Sequence, residues 1–352
     1  MKGKMVQLLL TGCLAAVVPS GAGAMQAVAG LEYDDNPFET YPGRRGGWVS
    51  RFFLDNAGQL LDQSWGWVQV KHQWGFKRYW RGEREMVRRG TVMASELEVE
   101  GLVQAHDRLL LSGSTSLKVK NVTQISSEQS YLHGGLRAGA HAALGLGWTC
   151  ALRYRRTGDD PREDELADLG LQELGTDFVY QPNRRAEIRL GAAWRWLDYG
   201  RPARVQGSEG AVMFSNRDQR DLERELRLGL NLSRWMLVDA GYAVVDNRSN
   251  SLGYDYQAHQ FELLLSRHLR YGVDGQFYVT AQRRRYHEQI TPEGPKVADQ
   301  EYAQTLLFAK LSRQLNDLYS VGAHYSYSRN GSRHEQGFFR KHIYGVSFNV
   351  SF

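Results

Sequence analysis

Cysteine and proline are scarce in this chain: two cysteines and eight prolines among 352 residues. Cys13 lies in a stretch that reads as a leader, which leaves Cys150 alone and excludes an intramolecular disulfide. Cys150 alternates with apolar neighbours and reads as a small outward-facing residue, not a nucleophile. Beyond the N-terminus there is no apolar run long enough for a membrane-spanning helix, and mean hydropathy is −0.51. That excludes a helical membrane protein. It does not exclude a barrel, whose apolar residues are spread thinly over one face of many short strands. Charge of one sign is not in large excess either. The formal net charge is +5; removing Lys2 and Lys4 with the leader lowers it to +3, too weak a balance to argue for nucleic acid. The ten histidines are scattered, with no H-E-x-x-H spacing and no C-x-x-C-H haem site. The sequence therefore predicts no enzyme, no metal and no cofactor.

The leader is built from Lys2 and Lys4, an apolar stretch Met5–Val18, the breakers Pro19 and Gly21, and Ala22-Gly23-Ala24 as an A-x-A cleavage site before Met25. The expected division is a signal peptide over residues 1–24 and one barrel domain over 25–352. Leu10-Thr11-Gly12-Cys13 also fits a lipoprotein box, with a lipidated Cys13 as the competing outcome.

At the other end, Tyr344, Val346, Phe348, Val350 and Phe352 alternate with Gly345, Ser347, Asn349 and Ser351. Period-two alternation places the two sets on opposite faces of a strand. An apolar edge ending in a bare aromatic invites aggregation in water but can close a barrel in lipid. This ending resembles the carboxy-terminal signature of bacterial outer-membrane proteins. The resemblance implies an outer-membrane location, contact with lipid and lipopolysaccharide, and recognition of Tyr344, Val346, Phe348, Val350 and Phe352 by the outer-membrane assembly machinery.

Between these ends the same alternation recurs. The sequence predicts an all-β, transmembrane, antiparallel up-and-down barrel of about 16 strands, with 14 as the alternative because the first strand, Gln26–Asp34, is weak. Strands are expected at Gly47–Asn56, Trp65–Tyr79, from Met93 and Leu109, Tyr131–Leu144, from Trp148, Leu169–Tyr180, Arg184–Tyr199, from Leu222 and Met236, Asp255–Arg267, Gly272–Tyr286, Gln300–Leu311, Leu318–Asn330 and Arg340–Phe352. The Leu222–Leu232 stretch has helix-forming residues, but its period is nearer two than 3.6. Turns are expected at Ala57-Gly58 and Gln181-Pro182-Asn183, and the longest loop at Gly200–Asn216. Long and short connections alternate, as they must if both termini face the periplasm. Ala57–Ser64 is the one long connection out of phase. The acidic loop Asp159, Asp160, Glu163, Asp164 and Glu165 reads as solvated, with Ca²⁺ binding as the alternative.

The other face of these strands carries charge. Lys118, Lys120, Arg137, Arg153, Arg155, Arg185, Arg189, Arg195 and Arg227 take inward parity, as do Glu96, Glu98, Glu100, Glu187, Glu223, Glu225, Asp274 and Arg284. Charges on a lipid-facing wall would cost several kcal/mol each, so these must line a wet or ion-paired lumen. Either the bases form an anion-conducting lining, or acids and bases on neighbouring strands pair and brace the wall. His133 and His141 share this face and read as wall residues. Finally, Glu32-Tyr33-Asp34-Asp35-Asn36-Pro37-Phe38 resembles the "Y-D-x-N-x-F" strand of barrels found with exopolysaccharide export systems, while Asp34-Asp35-Asn36-Pro37 also makes a good turn. The resemblance implies passage of an acidic sugar polymer and exopolysaccharide secretion components as partners. The function expected is an outer-membrane channel passing or exporting a polar, anionic solute or polysaccharide. The alternative is a structural barrel that houses a periplasmic partner, either a secretion component or a cytochrome.

Overall fold

The computed structural model describes residues 24–35, 46–80, 90–123, 130–161, 168–207, 211–287, 303–331 and 338–352. The leader, with Cys13, lies outside them. Sixteen strands follow one another: β1 Ala24–Asp34, β2 Gly47–Gln63, β3 Gly66–Trp80, β4 Thr91–His106, β5 Leu109–Thr123, β6 Tyr131–Gly145, β7 Trp148–Pro161, β8 Leu169–Asn183, β9 Ala186–Gln206, β10 Val212–Ser233, β11 Leu237–Ser249, β12 Tyr256–His268, β13 Val273–Tyr286, β14 Ala303–Gln314, β15 Tyr319–Gly331 and β16 Phe338–Ser351. Each pairs antiparallel with the next, and β1 pairs with β16 to close the barrel. The expected architecture and the count of sixteen both hold.

Alternation decides which way each side chain points. On β10, Leu226 and Leu228 are 67% and 54% exposed on the outer wall. Leu226 stands in register with Ala192 of β9 and Val244 of β11. The helix-forming residues of this stretch are overridden by pairing on both sides. Outward aromatics stand at both ends of the barrel, where they suit the lipid interfaces, and also mid-strand, as Trp74 on β3 and Phe261 on β12 do. Trp48 and Trp80 are cross-strand neighbours at the end of the long connections, with the Tyr33 ring 5.4 Å from Trp48. At the opposite end Trp148 stacks on Tyr180 at 4.6 Å, and other turns of that end carry Trp65, Trp235 and Tyr271, all more than half exposed.

Several boundaries differ from those the sequence suggests. Ala57-Gly58 is not a turn: β2 runs on through a register shift between Gln59 and Leu61 and reverses only at Ser64-Trp65. The shift is a bulge, and it removes the out-of-phase connection, so every link from an even to an odd strand is short. The β8–β9 turn sits at Arg184-Arg185, not at Gln181-Pro182-Asn183, because the Asn183 side chain accepts from the Arg185 amide at 2.8 Å and turns the chain there. Gly200–Asn216 is mostly strand. Despite Gly200 and Pro202, Leu197–Gln206 pairs with Val212–Asp221 through two irregularities. The β11–β12 connection is tied to that hairpin: Leu252 donates to the Arg204 carbonyl at 2.8 Å, and Asn250 to the Asp218 carbonyl at 2.9 Å. Asp159 and Asp160 belong to β7; Glu163, Asp164 and Glu165 lie outside the described residues. At the β6–β7 turn, Gly145, Leu146 and Gly147 all take positive φ, at 93°, 52° and 80°. Glycine bears that conformation readily and leucine does not.

The closing seam is held by side chains as well as backbone. Glu32 of β1, 5% exposed, pairs with Arg51 of β2 and, at 3.0 Å, with His324 of β15. Asp34 pairs with Lys341 of β16 at 3.0 Å. Glu32, Tyr33 and Asp34 are thus strand residues, and Asp34 is buried rather than part of a turn; Asn36-Pro37-Phe38 lie outside the described residues. His324 and Glu32 lie across Gly345, where a Cβ would come within 2.3 Å of the imidazole. The terminal Phe352 amide donates to the Met25 carbonyl at 2.8 Å.

Candidate functional site in the charged lumen

The inward faces of β3 to β10 carry the charge that the sequence pattern assigned to them. Cross-strand register sets the partners. Lys118 faces Glu96 in register, with their charged groups 3.4 Å apart. Lys71 reaches Glu100 at 2.5 Å. Arg153 of β7 pairs with Asp177 of β8 at 2.5 Å. Arg189 contacts Glu187 at 2.5 Å and Asp239 at 3.8 Å, and Arg227 contacts Glu225 at 2.5 Å. Arg195 of β9 spans three strands. It bonds Glu173 on β8 at 2.6 Å, and Glu225 and Glu223 on β10 at 2.7 and 3.4 Å. Lys71, Lys118, Arg153 and Arg195 are held where a neighbouring strand offers the opposite charge, as bracing requires, whereas the nearest carboxylates of Arg189 and Arg227 are on their own strands.

The region around β6 and β7 is different. Arg137 and Arg155 face each other in register. Among the described residues Arg137 has Glu98 alone as an ion-pair partner, at 3.7 Å. Arg155 stands opposite Glu173 on β8, but that carboxylate is engaged by Arg195. The Nε of Arg155 is buried with no hydrogen-bond partner. Beside these arginines, Ser112 and Ser114 on β5 and Gly139 on β6 are short, and a recess of about 430 Å³ opens, lined also by Trp67, His141 and Arg153.

No protein-family model matches this sequence, and no curated protein matches it either. Solved structures do. A BenF-like porin from Pseudomonas fluorescens Pf-5 aligns over 95% of this chain and 99% of its own, with 9% identity and a TM-score of 0.50. The fold is that of a porin-like barrel of the bacterial outer membrane. Pseudomonas aeruginosa OccK2, solved in complex with glucuronate, aligns over 94% of this chain and 98% of its own with 12% identity and a TM-score of 0.49. A bacterial polysaccharide outer-membrane secretin aligns over 94% and 97% with 12% identity and a TM-score of 0.43. The last two, below 0.5, add nothing to that assignment.

Within this porin-like barrel the nine bases picked out by parity separate. Arg137, Arg153 and Arg155 come together at one recess. Lys118, Arg189, Arg195 and Arg227 are on the wall but ion-paired. Lys120 lies over the Tyr131 ring at 5.6 Å. Arg185 is a correction: it sits in the exposed turn between β8 and β9 and not on the lumen wall, because the turn falls two residues later than the Pro182 signal suggests. His133 pairs with Asp159 at 2.5 Å, and His141 lies 3.5 Å from Ser112 Oγ. Among the described residues no group of His, Cys, Asp or Glu is arranged to hold a metal ion. Trp67 is the lining residue the sequence pattern did not single out. Its inward parity with Gln69 and Lys71 was legible, but the strand that brings Arg137 near it lies three strands away.

Proposed function

We propose that the protein is an outer-membrane channel that passes or exports a polar, anionic solute, with an acidic polysaccharide as its cargo. The observation that carries this reading is the pair of facing arginines, Arg137 and Arg155, inside a closed sixteen-stranded barrel. A barrel of that strand number is wide enough to hold an aqueous path, and guanidinium groups in excess of the carboxylates beside them, two here against Glu98, favour anions. The segment Glu32-Tyr33-Asp34, resembling the strand of exopolysaccharide-associated barrels, supports the polysaccharide cargo and secretion components as partners. The carboxy-terminal alternation supports the assembly machinery as a further partner.

Planar-bilayer recording of the purified full chain tests the proposal. The expected result is a steady conductance with a reversal potential favouring anions, reduced in an Arg137→Gln/Arg155→Gln variant. A cation-selective pore, or selectivity unchanged in that variant, sinks the anion reading. A second reading, a structural barrel that docks a periplasmic partner, is favoured by the ion-pair network through Arg195, which stiffens the wall without needing solute flow. It predicts no conductance until the partner is added.

A further inference from the structure

The recess beside β6 and β7 has the composition of a ligand site and not merely of a charged wall. Its volume, about 430 Å³, is far more than one small oxyanion fills and lies within the range of small-molecule sites, about 300–1,000 Å³. Its lining combines three kinds of group. Trp67 supplies a flat apolar face with a polar edge. Ser112, Ser114 and His141 supply short hydrogen-bonding groups. Arg137 and Arg155 supply charge. The floor is kept clear by Gly139, where a Cβ would stand 2.7 Å from Ser112 Oγ. The acids that also line the recess are already engaged: Glu100 with Lys71 at 2.5 Å and Glu173 with Arg195 at 2.6 Å. What remains is Arg137 and Arg155 facing each other in register with one carboxylate, Glu98, 3.7 Å from Arg137; like charges directly opposite destabilise a sheet, and an anion between them offsets the excess.

We propose that this recess binds one unit of an acidic saccharide, with its anionic group between Arg137 and Arg155 and the apolar face of its ring against Trp67. A planar guanidinium matches a carboxylate or sulfate through paired N–H donors, and the serines and His141 face the sugar hydroxyls. This rests on the reading of the lumen as a solute path, and it places a saturable station on that path.

Calorimetric titration of the full chain in detergent tests it, using trigalacturonate, neutral maltotriose and sodium sulfate at matched ionic strength. Folding of every variant is checked by its heat-modifiable migration on a gel. Saturable binding of trigalacturonate and none of maltotriose is expected. Arg155→Gln or Arg137→Gln should weaken it about tenfold or more, as loss of a charged hydrogen-bonding partner does. Trp67→Leu should weaken trigalacturonate and leave sulfate unchanged, and Trp67→Phe should restore much of the loss. Absent binding, or binding indifferent to both arginine variants, overturns the site. Sulfate binding as tightly as trigalacturonate, with Trp67→Leu silent, overturns the saccharide part. Bilayer conductance separates the two proposals. Binding without conductance keeps the site and removes the channel, whereas an anion-selective pore without binding does the reverse.

Discussion

Replacing Arg195 with glutamine measures how much the ion-paired wall contributes to stability. Arg195 donates to carboxylates on both neighbouring strands, at 2.6 Å to Glu173, 2.7 Å to Glu225 and 3.4 Å to Glu223. Its side chain is 19% exposed, and those of the three acids are 18%, 6% and 17%. Glutamine is shorter and neutral and cannot reach all three. Glu225 keeps Arg227, and Glu223 keeps the Tyr256 hydroxyl, but Glu173 loses its base. A charged hydrogen bond contributes about 1.5–3 kcal/mol, and stripping one partner from a buried pair costs about 3–5 kcal/mol. Lumenal water recovers part of that, so the expected loss is about 3 kcal/mol. Equilibrium urea unfolding into lipid vesicles reads it as a lower midpoint with an unchanged slope. A quadruple variant that adds Glu173→Gln, Glu223→Gln and Glu225→Gln should regain most of the loss, since the crowded charges are gone. A change below about 1 kcal/mol in Arg195→Gln would mean the acids are already solvated by lumen water, and the bracing argument would fail.

Three further perturbations test the faces, the seam and the end of the barrel. Leu226→Arg puts a charge on the outer wall and should cost about 2–4 kcal/mol near the bilayer midplane, whereas Ser116→Arg, which faces Glu98 across the lumen wall, should cost far less; equal penalties would mean the faces are assigned wrongly. Gly345→Val drives a side chain into His324 and Glu32 and should reduce the heat-modifiable folded fraction, while Ala323→Val on the outer face leaves it intact; indifference to Gly345→Val would show that the Glu32 contacts do not hold the seam. Deleting Phe352 removes an aromatic and its hydrogen bonds to Met25. It should slow insertion in cells, read as accumulation of unfolded chain in the periplasm, and insertion at the parent rate would refute the role given to Tyr344, Val346, Phe348, Val350 and Phe352.

The fold was legible because lipid on one side and water on the other enforce strict alternation, and register cannot slip by one residue without reversing every side chain. Leu226, Leu228 and Leu230 against Glu223, Glu225 and Arg227 show it plainly. Strand ends were harder. Ala57-Gly58 and Gly200 to Pro202 have turn composition, yet cross-strand partners hold both stretches in the sheet. Only the paired neighbour reveals that, and a single sequence does not name it. The site was half legible for the same reason. Parity identified Arg137 and Arg155 as inward residues. That Glu173 serves Arg195 and not Arg155 depends on rotamers and distances that alternation does not encode.

That distinction bears on how a charged lumen can be selective. An arginine bonded to a carboxylate presents little net field to a passing ion, however close it stands to the path. Arg153, Arg189, Arg195 and Arg227 are all in this state, so a tally of basic residues on the wall overstates its pull on anions. On the proposed channel reading, an anion preference is expected at positions where bases outnumber the acids in reach, as Arg137 and Arg155 do Glu98. A wall made this way separates two tasks on one face of the sheet. Paired charges hold neighbouring strands together and can be exchanged for other complementary pairs with little effect on passage. The facing pair, Arg137 and Arg155, with Glu98 beside one of them, repels across the sheet locally, and on the proposed channel reading it is where the selectivity is expected.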